Sequence, residues 1–178
     1  VILWQVSTNA NEIIEFLHLT PLPIEGGLFS QTYKAKESIP HHALPPRYQS
    51  DRSFGTAIYY LHQPGTFSAI HRLLTDEIYH FYLGNPIEML LLFPDGSSQV
   101  VILGQEILAG QFVQFVVPAG VWQGSHLLQP NGWALLGTTM APGYEQDDFE
   151  LGHRKELLLQ YPEQKHLIDI LTLDGSQS

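Results

Sequence analysis

The sequence predicts an all-β domain, a jelly roll or similar small barrel, with a helix before it and helices after it. Three observations carry that reading. Between Ser53 and Met140 the chain breaks into short apolar runs of strand length. The gaps between runs hold Gly, Pro, Asn or Asp, residues that tolerate positive φ or preset a turn. Helical spacing of apolar residues is confined to the two ends. With 178 residues and 44% hydrophobic content, the chain suits one domain with a proper core.

In chain order, a helix is expected from about Ser7 to Leu19. Ser7, Thr8 and Asn9 can cap it, Ile13, Ile14 and Leu17 form its apolar stripe, and Pro21 and Pro23 close it. Glu25-Gly26-Gly27 then turns the chain into a half-buried strand from Leu28 to Ala35. Residues 37–51 carry Pro40, Pro45, Pro46 and the adjacent His41 and His42 without periodicity. They read as a long loop, either a lid over a site or a mobile surface excursion. The strand runs that follow are Phe54 to Leu61, Phe67 to Leu73, Glu77 to Leu83, Ile87 to Phe93, Gln99 to Leu103, Phe112 to Val117, Trp122 to Leu128 and Trp133 to Met140. After Ala141-Pro142-Gly143 the texture reverts to helix, through Leu157 to Tyr161 and again beyond Pro162, and Asp174 to Ser178 read as a frayed end. The expected division is an N-terminal helix over residues 1–22, a barrel over 23–151 and a helical extension over 152–178, all one domain.

Eight Lys and Arg against eighteen Asp and Glu give a formal net charge of -10, which disfavours nucleic acid and anionic membrane surfaces as partners. The absence of cysteine removes disulfides, thiolate catalysis and Cys-ligated metal sites, and fits a cytoplasmic location. No apolar run approaches the roughly 18 residues of a spanning helix, and Val1-Ile2-Leu3 is too short for a signal-peptide core. Because the chain opens on Val1 rather than Met, a few preceding residues are expected.

Chemistry concentrates between Gly65 and Gly84. Read as a hairpin turning at Leu74, Thr75 and Asp76, this stretch sets Leu73 opposite Glu77 and His71 opposite Tyr79. Phe67, Ala69, His71 and Leu73 then share one face, and Glu77, Tyr79 and Phe81 the matching face. A carboxylate among aromatic rings titrates high unless an imidazole or a cation pairs with it. His71 and Glu77 so placed make either an acid/base device or a buried pair that only satisfies two polar groups. By parity Arg72 points away from the His71 face, toward a salt bridge or subunit contact, and His80 and His126 fall on outer faces. Trp4, Trp122 and Trp133 read as core or interface residues. Asp147, Asp148 and Glu150 read as a solvated acidic patch or a metal site.

The spacing of Gly65, His71, Leu73, Glu77 and Gly84 resembles the first signature of the cupin superfamily, with Leu73 in place of a second histidine. Gly110 and Pro118-Ala119-Gly120-Val121-Trp122-Gln123 resemble the second signature, with Gln123 where that motif ends in histidine. Further phrases stand in the right order over Pro23 to Ile168: Glu25-Gly26-Gly27, Thr56-Ala57-Ile58-Tyr59-Tyr60, Asp76-Glu77-Ile78-Tyr79-His80-Phe81-Tyr82, Ala141-Pro142-Gly143 and Asp148-Phe149-Glu150-Leu151. The chain is thereby similar to a cupin branch described as a domain of unknown function. The resemblance implies an all-β double-stranded β-helix barrel, usually a homodimer. Cupin metals are held by three imidazoles and a carboxylate, whereas His71, Glu77 and at most a Gln123 oxygen remain here. No cofactor and no tightly bound metal are therefore expected, and a weakly bound divalent ion at His71 and Glu77 is the most this set could take.

A more distant similarity, to metal-free nucleotide-sugar epimerases of the rhamnose pathway and to seed-storage barrels, brackets the function. On the epimerase analogy His71 removes a proton beside a carbonyl, Glu77 orients it, and Tyr79 returns a proton. Gln123, Ser125, Thr32, Lys34 and Phe81 would hold a small polar metabolite, sugar-like or keto-acid-like. The alternatives are a non-catalytic ligand-binding or storage barrel and a metal-dependent enzyme using His71 and Glu77. Arg47, Arg52 and Arg72 are the cations available for a diphosphate, which is sparse provision.

Overall fold

The first helix of the computed structural model, which describes residues 9–173, is α1 (Ala10–Leu17). The Asn9 side chain accepts from the Glu12 N–H at 3.0 Å while Glu12 returns a bond to the Asn9 N–H, a reciprocal cap that fixes where the helix begins. The helix is shorter than the expected Ser7 to Leu19. Trp4, Ser7, Thr8 and the tail from Asp174 lie outside the described residues.

The strands are β1 (Thr20–Pro21), β2 (Leu28–Lys34), β3 (Ser38–Ile39), β4 (Arg52–Ser53), β5 (Thr56–His62), β6 (Phe67–Arg72), β7 (Glu77–Gly84), β8 (Ile87–Leu92), β9 (Ser98–Leu103), β10 (Gln114–Val117), β11 (Trp122–Leu127), β12 (Ala134–Met140) and β13 (Glu150–Leu151). Helices α2 (Arg154–Gln160) and α3 (Lys165–Leu171) follow. Each of the eight strand runs read from sequence is present. One sheet has the order β1-β2-β5-β12-β7-β10 and the other β13-β6-β11-β8-β9, while β3 and β4 form a separate ribbon.

Consecutive strands from β5 to β8 alternate between the two sheets, and this corrects the expected hairpin. The strand carrying His71 pairs with β11 and β13, and the strand carrying Glu77 pairs with β10 and β12. The intervening residues cross from one sheet to the other, and their polar groups are satisfied elsewhere. Gly120 N–H donates to the Leu73 carbonyl at 2.8 Å, Ala119 N–H to Asp76 at 2.8 Å, and the Thr75 and Tyr48 hydroxyls bond at 2.7 Å. A short connection between apolar strands fits a crossing as well as a hairpin, and here burying both strand faces in a shared interior decides.

That interior holds Tyr79, Phe81, Met89, Leu91, Val117, Leu127 and Leu136. On the outer face of the second sheet, α2 and α3 pack Leu157, Tyr161, Ile168 and Leu171 against Ile70, Leu90 and Leu92. Hence β8 is apolar on both faces, with Met89 and Leu91 inward and Leu90 and Leu92 beneath the helices, each burial contributing roughly 1.5–3 kcal/mol. On the first sheet, α1 covers Leu61 and Leu135 with Ile13. The 37–51 segment is tied down rather than free. Arg47 Nε donates to the Leu74 carbonyl at 2.8 Å, buried Tyr48 bonds Thr75, and a short 3-10 turn spans His41–Ala43.

Candidate functional site

Polar side chains converge inside the barrel because β6 carries one extra residue. Gln123 lies opposite His71 and Ser125 opposite Ser68, so the register shifts between them. The bulge turns Ser68 and His71 to the same interior side and sends Phe67 and Ile70 outward onto the C-terminal helices. The expected common face of Phe67, Ala69, His71 and Leu73 is corrected accordingly.

The His71 side chain is buried, and its Nδ1 lies 2.8 Å from the Ala69 carbonyl. A carbonyl only accepts, so Nδ1 carries a proton, and Nε2 is the nitrogen that holds the lone pair whenever the ring is neutral. Nε2 has no hydrogen-bond partner among the described residues. The Phe149 ring stacks on the imidazole, centroids 5.1 Å apart. Buried Glu77 accepts from Gln123 Nε2 at 2.8 Å, and no hydrogen bond joins it to His71. Because the carboxylate claims the NH2 side of the amide, Gln123 Oε1 faces elsewhere, buried and without a partner. The Tyr79 hydroxyl is pushed well above its ordinary value by burial first and by the Glu77 and Glu25 charges next, which keeps it a proton donor.

Glu25 belongs to this cluster and was read from sequence only as part of a turn. Its carboxyl accepts from Ser68 Oγ at 2.9 Å, and its backbone carbonyl accepts from Ala69 N–H at 2.7 Å. Burial is the main force raising this carboxyl above the usual range; the interaction with His71 opposes it, the Glu77 charge adds to it, and the Ser68 hydrogen bond opposes it. The turn is shaped for this placement. Gly26 and Gly27 take φ of 98° and 70°, and a Cβ at Gly26 would stand 2.3 Å from the Phe67 carbonyl oxygen. Ile24, a β-branched residue, is held at φ 69°, a strain of about 1–3 kcal/mol of the kind that accumulates at functional sites. Two glycines beside a carboxylate were the available sequence signal.

Of the other expected site residues, Phe81 lies in the apolar interior and Ser125 bonds buried His62 Nε2 at 3.1 Å. Burial, helped by His126, holds His62 down to about 3, and its Nδ1 has no partner. Thr32 and Lys34 are not brought to the cluster. Both are exposed on β2, where Thr32 donates to the Ala57 carbonyl and Lys34 pairs with Glu145 at 2.6 Å. Arg72 points outward as parity required, paired with Glu150 at 2.7 Å and lying over Trp122. His80 and His126 sit half-buried on outer faces, with Thr139 and Glu88 as partners. The acidic patch is corrected at Asp148, which is buried against Arg52 rather than solvated.

A cleft of about 230 Å³, lined by Leu22, Pro23, Glu25, Tyr144, Gln146 and Phe149, reaches this cluster at Glu25 and at the ring covering His71. A larger cleft of about 400 Å³ lies among Arg47, Arg72, Leu73, Gly120, Asp148 and Glu150. Its inward acid and its outer pair are already matched, Asp148 by Arg52 and Glu150 by Arg72. The smaller cleft touches the polar cluster through Glu25 and Phe149, and we take it as the candidate site. A metal fits neither. Leu73 offers no donor, Gln123 turns its NH2 toward Glu77, and among the described residues no three His, Asp or Glu side chains converge on one point.

Facing antiparallel sheets with strands alternating between them over a shared interior define a double-stranded β-helix barrel. The chain belongs to the Cupin superfamily (DUF985), whose family model matches residues 11–152. It is similar to the solved Protein SO0799 from Shewanella oneidensis, 33% identical, TM-score 0.82, covering 94% of this chain and 99% of that one. A hypothetical protein from Leishmania major shares the fold at 24% identity and TM-score 0.83, covering 94% and 100%. Oxalate decarboxylase from Bacillus subtilis shares the fold alone, at 13% identity, TM-score 0.51, and 89% and 41% coverage. Uncharacterized protein YML079W of Saccharomyces cerevisiae is 30% identical over 102 residues, 54% of this chain and 50% of that protein, so the match spans half the length of this curated relative. No helix among the described residues is long and apolar enough to cross a membrane.

Proposed function

We propose that the barrel interior binds a small hydroxylated carbonyl compound and moves a proton on it without a metal, in the manner of an isomerase or epimerase. The observation that carries this reading is the oriented imidazole: Nδ1–H is pinned on the Ala69 carbonyl, and Nε2 is left without a hydrogen-bond partner among the described residues. In the proposed step Nε2 takes the proton from the carbon next to the carbonyl, and the electron pair moves to the carbonyl oxygen as an enolate. Tyr79, or the newly formed Nε2–H itself, reprotonates the carbon. The Nε2 proton passes back to the tyrosinate or to carbon so that the cycle closes, and Gln123 Oε1 accepts from a substrate hydroxyl. The likeness to solved relatives supports the barrel and leaves the chemistry to these residues.

Incubating the protein with a panel of ketoses and aldoses in deuterated water tests this. Deuterium should enter beside the carbonyl, and His71→Ala should abolish uptake. Uptake that survives that substitution removes His71 from the mechanism. The stacking of Phe149 on His71 favours a second reading, a binding barrel without catalysis, because the ring covers one face of the imidazole. Ligand binding with no label uptake in either the native protein or Phe149→Ala would select it.

A further inference from the structure

We propose that the ligand of this interior carries a primary ammonium group together with hydroxyls, rather than a carboxylate or phosphate. This rests on the interior-binding reading above and names its substrate class. The polar groups at and behind the cleft wall are mostly acceptors: the carboxyl of Glu25 on the wall and, buried behind it, that of Glu77 and the unpartnered Oε1 of Gln123. A primary ammonium supplies three N–H donors and no acceptor, which matches them. Four basic residues around the barrel are engaged elsewhere. Lys34 is tied to Glu145, Arg72 to Glu150, buried Arg52 to Asp148, and Arg47 to the Leu74 carbonyl and Tyr48. An anion entering would meet two carboxyls and only His71 as a potential cation.

The potential at the mouth has the same sign. The Tyr144 hydroxyl on the lip is pushed up to about 12, by burial first and then by Glu25, Asp148, Glu77 and Glu145. The walls suit a cation as well, since Tyr144 and Phe149 line the cleft and Tyr60 and Tyr79 stand buried beside the two carboxyls. The charge preference is therefore opposite to the one a nucleotide diphosphate sugar would need.

Glucosamine, glucose and glucuronate differ mainly in charge and serve as probes for titration calorimetry on the full chain at neutral pH. Glucosamine should bind at least about tenfold more tightly than glucose, and glucuronate more weakly than both. Glu25→Gln and Glu77→Gln, each checked for a native melting transition, should shrink the glucosamine advantage to about threefold or less while glucose still binds. Equal or tighter binding of glucose or glucuronate overturns the charge inference and leaves interior binding standing. Glucosamine binding indifferent to both substitutions places it on the acidic outer surface and overturns the proposal. If none of the three probes binds, both the proposal and the interior-binding reading fall.

Discussion

Asp148 and Glu25 both turn inward from chain segments near the barrel mouth, and they are treated in opposite ways. Asp148 accepts from Arg52 at 2.6 Å and from the Glu145 N–H at 3.0 Å. Arg52, itself fully buried, spends its other terminal nitrogen on Ser50 and the Asp51 carbonyl and leaves only Nε without a partner. Glu25 receives a single side-chain bond from Ser68, faces Glu77 and meets no arginine or lysine. A buried charge matched on nearly every side holds the fold. One left nearly unmatched, at the end of a strained turn, is on the proposed reading kept for a ligand.

Substitutions can break or sharpen this contrast. Asp148→Ala strands the Arg52 guanidinium in a buried site and should cost about 3–5 kcal/mol in urea unfolding. A loss under about 1 kcal/mol would dissolve the distinction. His62 gives the next effect and works through pH. Its folded value of about 3 lies below the ordinary 6.5, so the unfolded chain takes up the proton first. Stability should therefore fall as pH drops below 6.5 and level off near 3, with a loss of ~3 kcal/mol by about pH 4. His62→Leu should flatten that part of the curve. The smallest effect is expected from Arg72→Ala, which opens an exposed pair with Glu150 and should cost less than about 1 kcal/mol despite its contact with Trp122.

Much of the barrel was legible because its turns are written in Gly, Pro, Asn and Asp and its strands in short apolar runs. The motif spacing also located His71, Glu77 and Gln123 correctly as interior residues. What escaped depended on partners distant in sequence. Nothing local to Asp148 announces Arg52, 96 residues earlier. The single inserted residue in β6 leaves the apolar pattern intact yet decides which side Ser68 and Phe67 face. Glu25 was hidden because a carboxylate before two glycines reads as a solvated turn, and only the close approach of Gly26 to the Phe67 carbonyl turns it inward. Thr32 and Lys34 misled because alternation on β2 identifies two faces without saying which one is inside.

The contrast is tested most directly by the unfolding free energy of Glu25→Met, compared with the native chain across pH. The folded state holds the Glu25 proton to higher pH than the unfolded chain, whose ordinary value is 4.5. The native protein should thus lose stability as pH rises from 4.5 through the raised value, and the variant should lack that loss. At mildly alkaline pH the account predicts Glu25→Met to be unchanged or more stable by up to about 2 kcal/mol, since a half-buried acid without a cationic side-chain partner is replaced by an apolar side chain. A loss of more than about 1 kcal/mol there would mean that Glu25, like Asp148, is part of what holds the barrel together, and would contradict the account.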